Sequence, residues 1–176
     1  MKKFLSFILS IFLLSSCSTG INREDFHVFG FDDFTIAVAY DDVEFMRLVF
    51  DVRIKDTLQA QERIDDVEVF FWDKFFCTVS IENPGKKEVP VEKGIVKKLT
   101  IYLDNIPERV YKLDGIVLSK SVRENCDTFH GEYVERNGYA CVFGKNVHGK
   151  DSIVTLYGDI LGFDQDELSH LEIYVK

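Results

Sequence analysis

The side chains that could do chemistry in this 176-residue chain are 4 histidines, 4 cysteines, 30 acidic residues and a scatter of serines. Metal binding from a single element needs ligands repeated at the spacing of a strand or a helix turn. His27, His130, His148 and His170 show neither His-x-His spacing nor an i,i+4 pair with a glutamate, so each reads as a surface or hydrogen-bonded histidine. Acid pairs recur at Asp32-Asp33, Asp41-Asp42 and Asp65-Asp66, with a fourth cluster at Asp164-Gln165-Asp166-Glu167. None is followed by the glycine turn and distal glutamate of a calcium loop, so helix caps and turns account for them, and Asp41 is expected to cap a helix. The serines lack a Gly-x-Ser-x-Gly elbow. Cys126 lies near His130, but the spacing fits no thiol mechanism and an oxidised sulfur there could not attack a substrate. The expectation is a protein that is not an enzyme and uses no cofactor and no metal. The alternative is a small hydrolase or carbohydrate-active enzyme built on paired carboxylates, which would need two acids facing one cleft at glycosidase separation.

Aromatic residues give the second lead. Phe70, Phe71, Trp72, Phe75 and Phe76 crowd around the only tryptophan of the chain. Strand alternation sends Phe71 to one face and Phe70 with Trp72 to the other, so both faces of this segment need cover. A face with no helix over it would be a contact surface, and Trp72 and Phe70 are the candidate partner-contact residues. A Trp72 packed into the core is the competing reading.

The elements that must position these groups are mostly strands. Phe34–Tyr40 alternates large and small residues as a half-buried strand does, and Asp41-Asp42-Val43-Glu44 then opens a short helix in capping-box fashion. Val67–Trp72 and Phe75–Ile81 read as two strands joined at Asp73-Lys74. Asn83-Pro84-Gly85 is a turn, followed by strands at Ile95–Leu103, Ile116–Leu118, Tyr139–Phe143, Ile153–Tyr157 and Leu171–Val175. Asn137-Gly138 is the most hairpin-like dipeptide, and Asp164–Leu168 reads as a second short helix. The fold class expected is α+β, mostly antiparallel β-sheet with two short helices on one side.

Cys77 alternates with Phe75, Val79 and Ile81 and is expected to be a buried, inert thiol on their face. Cys126 and Cys141 flank a polar stretch that would gain from closure, and they are the candidate disulfide pair. A bridge over such a loop contributes about 3 kcal/mol in the chain-entropy model.

The N-terminus has a basic start at Lys2-Lys3, an apolar run from Phe4 to Leu14 and then Ser15-Ser16-Cys17. That run is shorter than the roughly 20 apolar residues a membrane span needs, and the three regions in this order form a signal peptide. Leu14-Ser15-Ser16-Cys17 resembles the lipobox of bacterial lipoproteins. The resemblance implies cleavage before Cys17, diacylglycerol on its sulfur, and, with Ser18 rather than Asp following, an outer-membrane position facing the periplasm. Residues 1–16 are thus the signal peptide, 17–25 a lipidated tether of about 3.3–3.6 Å per residue when extended, and 26–176 one globular domain. The run Val67–Leu103, with Phe71-Trp72-Asp73 and Lys97-Lys98-Leu99-Thr100-Ile101-Tyr102-Leu103, is also similar to uncharacterised small exported proteins of Gram-negative bacteria, a likeness that implies no activity.

The chain has a net charge of −9, and losing the two leader lysines makes it more acidic still. Such a body repels nucleic acid and suits cationic partners. The function expected is that of a membrane-anchored envelope lipoprotein acting as a non-enzymatic protein-binding module. Its partner would be a basic envelope protein or toxin, as for an assembly accessory or an immunity-type protein.

Overall fold

The computed structural model describes residues 26–39, 42–106, 108–135, 138–147, 149–161 and 164–176. The expected leader and tether with Cys17 lie outside these residues, as do Asp41, Asn137 and His148. In chain order the strands are β1 (His27–Phe31), β2 (Phe34–Val38), β3 (Asp51–Val52), β4 (Thr57–Leu58), β5 (Arg63–Phe71), β6 (Lys74–Glu82), β7 (Val89–Pro90), β8 (Ile95–Tyr102), β9 (Tyr111–Leu113), β10 (Ile116–Val117), β11 (Glu132–Glu135), β12 (Tyr139–Val147), β13 (Lys150–Gly158) and β14 (Leu168–Val175). The helices are α1 (Val43–Val49) and α2 (Val122–Phe129). The strands form an eight-stranded sheet, β11-β12-β13-β14-β8-β6-β5-β3, a four-stranded sheet, β10-β9-β1-β2, and the small pair β4-β7. Every ladder among them is antiparallel. Across the described residues the protein is therefore mostly antiparallel β-sheet with two helices.

The four-stranded sheet and the helices cover one face of the eight-stranded sheet. Between the two sheets the phenylalanines interlock. Phe31 lies 5.1 Å from Phe76 and 5.6 Å from Phe71, Phe50 stacks on Phe76 at 5.4 Å, and Phe29 stacks on Tyr111 at 5.7 Å. Such pairs add roughly 0.5–1.5 kcal/mol each beyond the apolar area they bury. Farther along the sheet α2 takes over as cover and buries Val122 and Cys126 beside β12 and β13, which supply the buried Cys141, Val154 and Leu156.

A β-bulge corrects the expected faces of the aromatic hairpin. Val69 pairs with Cys77 but Phe70 pairs with Phe75, so Phe76 is an extra residue in β6. A bulge advances the strand by one and inverts the alternation beyond it. Cys77 consequently shares the inner face with Phe76, Val79 and Ile81, all buried, while Phe75 points outward beside Phe70. Burial also pushes the Cys77 thiol pKa far up. The turn shifts as well: Phe71 pairs with Lys74, which leaves Trp72-Asp73 rather than Asp73-Lys74 as the connection.

The second expected helix is not where the acidic cluster suggested. Asp164 to Glu167 form a turn, in which Asp164 Oδ1 accepts the Asp166 N–H at 3.0 Å. The helix lies instead at α2, where Ser121 accepts the Glu124 N–H at 3.1 Å. Asp166 reaches across to the same helix start and accepts from Ser121 Oγ at 2.5 Å and from the Arg123 N–H at 3.1 Å. A carboxylate there also complements the positive end of the helix dipole. Asp42, at the start of α1, accepts the Ala37 N–H at 2.6 Å.

Candidate functional site

The strand directions give the domain two distinct ends. At one end β1 begins at the buried Phe26 and His27, the Ala39 N–H reaches the Val96 carbonyl, and Lys176 bonds Asp151. At the other end lie the β5–β6 turn, the 3-10 turn Leu103–Asn105 and the β13–β14 connection. Asn105 Nδ2 donates to the Phe75 carbonyl at 2.7 Å and so ties the second of these to the first. Residues Val96 to Tyr102 of β8 separate the two ends by about 20 Å at strand rise.

Trp72 crowns the far end. It is 86% exposed, it touches Phe71 at 6.0 Å, and its backbone is left-handed with φ +50°, followed by Asp73 at φ +61°. Positive φ at both central residues is the geometry of a two-residue hairpin loop that ordinarily uses Asn-Gly, because any Cβ strains it. The reading of Trp72 as core is therefore set aside. Ile160 at 53% and Leu161 at 97% exposure protrude at the same end. They line a surface hollow of about 440 Å³ together with Tyr102, Asp104, Asp159 and His170. Desolvation raises the Asp104 carboxyl pKa above its ordinary value, and the negative charges of Asp159 and Glu167 push it further the same way.

Phe70 is placed differently from Trp72. It is half-buried on the outer face of the sheet, with the Arg53 guanidinium 4.5 Å above its ring. From Phe70 a row of rings crosses five neighbouring strands: Phe75 at 5.8 Å, then Tyr102 at 5.1 Å, His170 at 6.0 Å and Tyr157 at 4.4 Å. No described helix covers this face. Burial in the stack lowers the His170 pKa from its usual 6.5, against the raising pull of Glu172 and Asp104.

Two further groupings stand apart from these surfaces, the first out of reach of sequence spacing and the second the cysteine pair that the sequence offered. At the near end His27 Nδ1 lies 2.7 Å from Asp114 Oδ2 and Nε2 lies 3.1 Å from Ser152 Oγ. The Val28 N–H also donates to Asp114, at 2.8 Å. Burial alone would raise the Asp114 carboxyl pKa, but the hydrogen bonds from His27 and Val28 outweigh it and hold it below the usual carboxylate range. Acid, imidazole and hydroxyl stand in the order of a hydrolase triad. His27 and Asp114 line a groove of about 590 Å³ that Ser152 does not reach. Ser152 is 2% exposed and donates to the Lys145 carbonyl at 3.2 Å, so the set acts as a clamp between β1, the β9–β10 turn and β13.

The second grouping is Cys126 with Cys141. Both are buried thiols, and burial with Cys126 alongside raises the Cys141 thiol pKa. Of the other histidines, His130 ends α2 in a left-handed conformation. The acid pairs are dispersed: Asp32 pairs with Arg109 at 2.6 Å, Asp65 with Arg63 at 2.7 Å, and Asp66 sits at a bulge with φ +56°. Among the described residues no three His, Cys, Asp or Glu side chains converge as metal ligands. No family model, no curated protein and no solved structure matches the chain.

Proposed function

We propose that the chain is a membrane-anchored envelope lipoprotein, held by lipid on Cys17, whose α+β domain is a non-enzymatic module that binds a basic protein partner at its Trp72 end. The observation that carries this reading is Trp72 itself, the only tryptophan, 86% exposed on a left-handed backbone. Left-handed backbone costs roughly 1–2 kcal/mol for a residue with a Cβ. An exposed indole returns none of that to folding, whereas tryptophan is among the residues that dominate binding energy at interfaces. Leu161 and Ile160 are a second exposed apolar pair at the same end, several strands away on the β13–β14 connection beside Asp104 and Asp159. The end opposite Trp72 is where the described chain enters at Phe26, so a lipid on Cys17 would hold that end toward the membrane and leave Trp72 facing outward. Net negative charge speeds encounter with a cationic protein, and the gain fades as salt shortens the Debye length.

The test compares wild type with Trp72→Ala for melting temperature and for retention of basic envelope proteins at low and high salt. Unchanged melting with loss of a salt-sensitive cationic partner supports the proposal. A variant that fails to fold, or one that keeps the same partner with the same strength, overturns the role given to Trp72. Fatty-acid labelling that persists in Cys17→Ser overturns the anchor.

A further inference from the structure

We propose that Cys126 and Cys141 are a modification site, a thiol pair that closes into a structural disulfide as the chain folds, with Cys77 left as a free thiol. The two sulfurs meet over Gly131. A Cβ built on that glycine would lie 2.6 Å from the Cys141 sulfur and 3.3 Å from that of Cys126, so the absent side chain is what gives the pair its space. The Gly131 N–H bonds the Cys126 carbonyl at 3.0 Å, and this fixes the turn that folds β11 back under α2. Cys126 projects from α2 and Cys141 lies in β12 opposite Leu156, so a bond would join the helix covering this part of the core to the sheet beneath it.

The segment between them needs such a tie. None of its described residues, Asp127–Glu135 and Gly138–Ala140, is buried. Apart from the β11–β12 ladder and the Phe129 ring stacked on Phe143 at 4.6 Å, it is held by surface contacts such as Tyr133 to Asp166 at 3.1 Å and Arg123 to Glu135 at 3.1 Å. Surface ion pairs are worth little, whereas a cross-link acts by shrinking the unfolded ensemble. Cys77, fully buried on the inner face of β6, belongs to a different part of the core.

The reaction is thiol–disulfide exchange with a small-molecule or protein disulfide as oxidant. The Cys126 thiolate attacks the oxidant, forms a mixed disulfide and releases one thiolate. The Cys141 thiolate then attacks the Cys126 sulfur, forms the Cys126–Cys141 bond and releases the second. The two protons given up by the cysteines end on the two released thiols, and the two electrons reduce the oxidant's disulfide. Burial raises the Cys141 thiol pKa, an effect reinforced by Cys126, so closure belongs to the folding chain or to an opened α2. The bridge is then a staple rather than a redox sensor, since sensors use exposed, low-pKa thiols.

The experiment refolds the full chain in a glutathione redox buffer, quenches with alkylating acid and maps peptides without reduction. The expected result is a Cys126–Cys141 peptide with Cys77 alkylated. Three outcomes each overturn the proposal: all three thiols alkylated, a bridge that includes Cys77, or a stable glutathione adduct on Cys126. The second measurement is thermal melting with and without reductant. Closing a loop of about 15 residues is expected to shift the folding equilibrium roughly 100-fold and the midpoint by about 6–12 °C in wild type. The Cys126→Ala, Cys141→Ala double variant should show no reductant dependence, and equal shifts in both proteins refute the assignment. Because the assay is done on purified chain, its failure is distinct from failure of the envelope or partner reading.

Discussion

His27 is where a single substitution should do most to separate the two sheets. Its ring is 3% exposed, bonded to Asp114 at one nitrogen and to Ser152 at the other, with Phe143 edge-on at 6.2 Å. In His27→Phe the volume is conserved and both hydrogen bonds go. Asp114 keeps the Val28 N–H, and with 32% of its side chain exposed it recovers part of its solvation from water. Ser152 keeps only the Lys145 carbonyl inside a buried site. Loss of one charge-assisted and one neutral hydrogen bond, less that rehydration, amounts to about 2 kcal/mol. His27→Ala adds a cavity and should reach about 3–4 kcal/mol. For a domain of this size those losses lower the melting midpoint by roughly 4–8 °C and 6–16 °C. Urea titration followed by tryptophan fluorescence and by circular dichroism gives the free energies. A His27→Phe protein within about 0.5 kcal/mol of wild type would refute the clamp, because surface substitutions alone fall in that range.

Two further outcomes follow from local geometry. In Gly158→Ala the new Cβ would stand 1.9 Å from the Gln165 carbonyl oxygen, so the β13–β14 connection must shift; a loss of more than about 2 kcal/mol is expected by chemical denaturation, the range of severe overpacking. The lowered His170 pKa makes protonation of the folded state harder than that of the unfolded chain. Its contribution is complete above pH about 6.5 and is lost as pH falls from there through the folded-state value. Stability curves of wild type and His170→Phe should therefore converge as pH drops below 6.5, and parallel curves would count against this assignment.

The sequence announced strands wherever alternation was long and unbroken, as in β8, β13 and β14, because burial on one face imposes period two. It missed β1 and β9, whose few residues carry too little pattern, and it extended β12 too short, since Gly144-Lys145-Asn146 looks polar while still pairing with β13. Helix α2 was passed over although Ser121-Val122-Arg123-Glu124 has the spacing of a capping box. The Phe76 bulge left no local mark: Phe-Phe-Cys reads the same whether one residue is extra or not, so the faces of Phe75 and Cys77 were separable only by the register with β5. The exposure of Trp72 depended on a turn one residue earlier than expected. Residues 87 and 125 positions apart, as in His27–Asp114 and His27–Ser152, leave no sequence spacing to read.

The two rims of the eight-stranded sheet bear on how copies of the chain would behave side by side. One rim is β3, a two-residue strand that opens on the exposed Asp51 and is followed by Arg53; the other is β11, with Glu132 and Glu135 exposed at its ends. Beyond β3 the edge passes to Arg63–Glu68 of β5, where the exposed Arg63, Asp65, Asp66 and Glu68 and a bulge between Ile64 and Val67 leave little regular ladder for a second sheet to extend. Molecules anchored in one leaflet share a plane and collide laterally far more often than the same number in free solution. If the proposed lipid on Cys17 confines the domains in this way, these rims would keep neighbouring sheets from zipping into a continuous ribbon, and a densely populated membrane would still present separate domains.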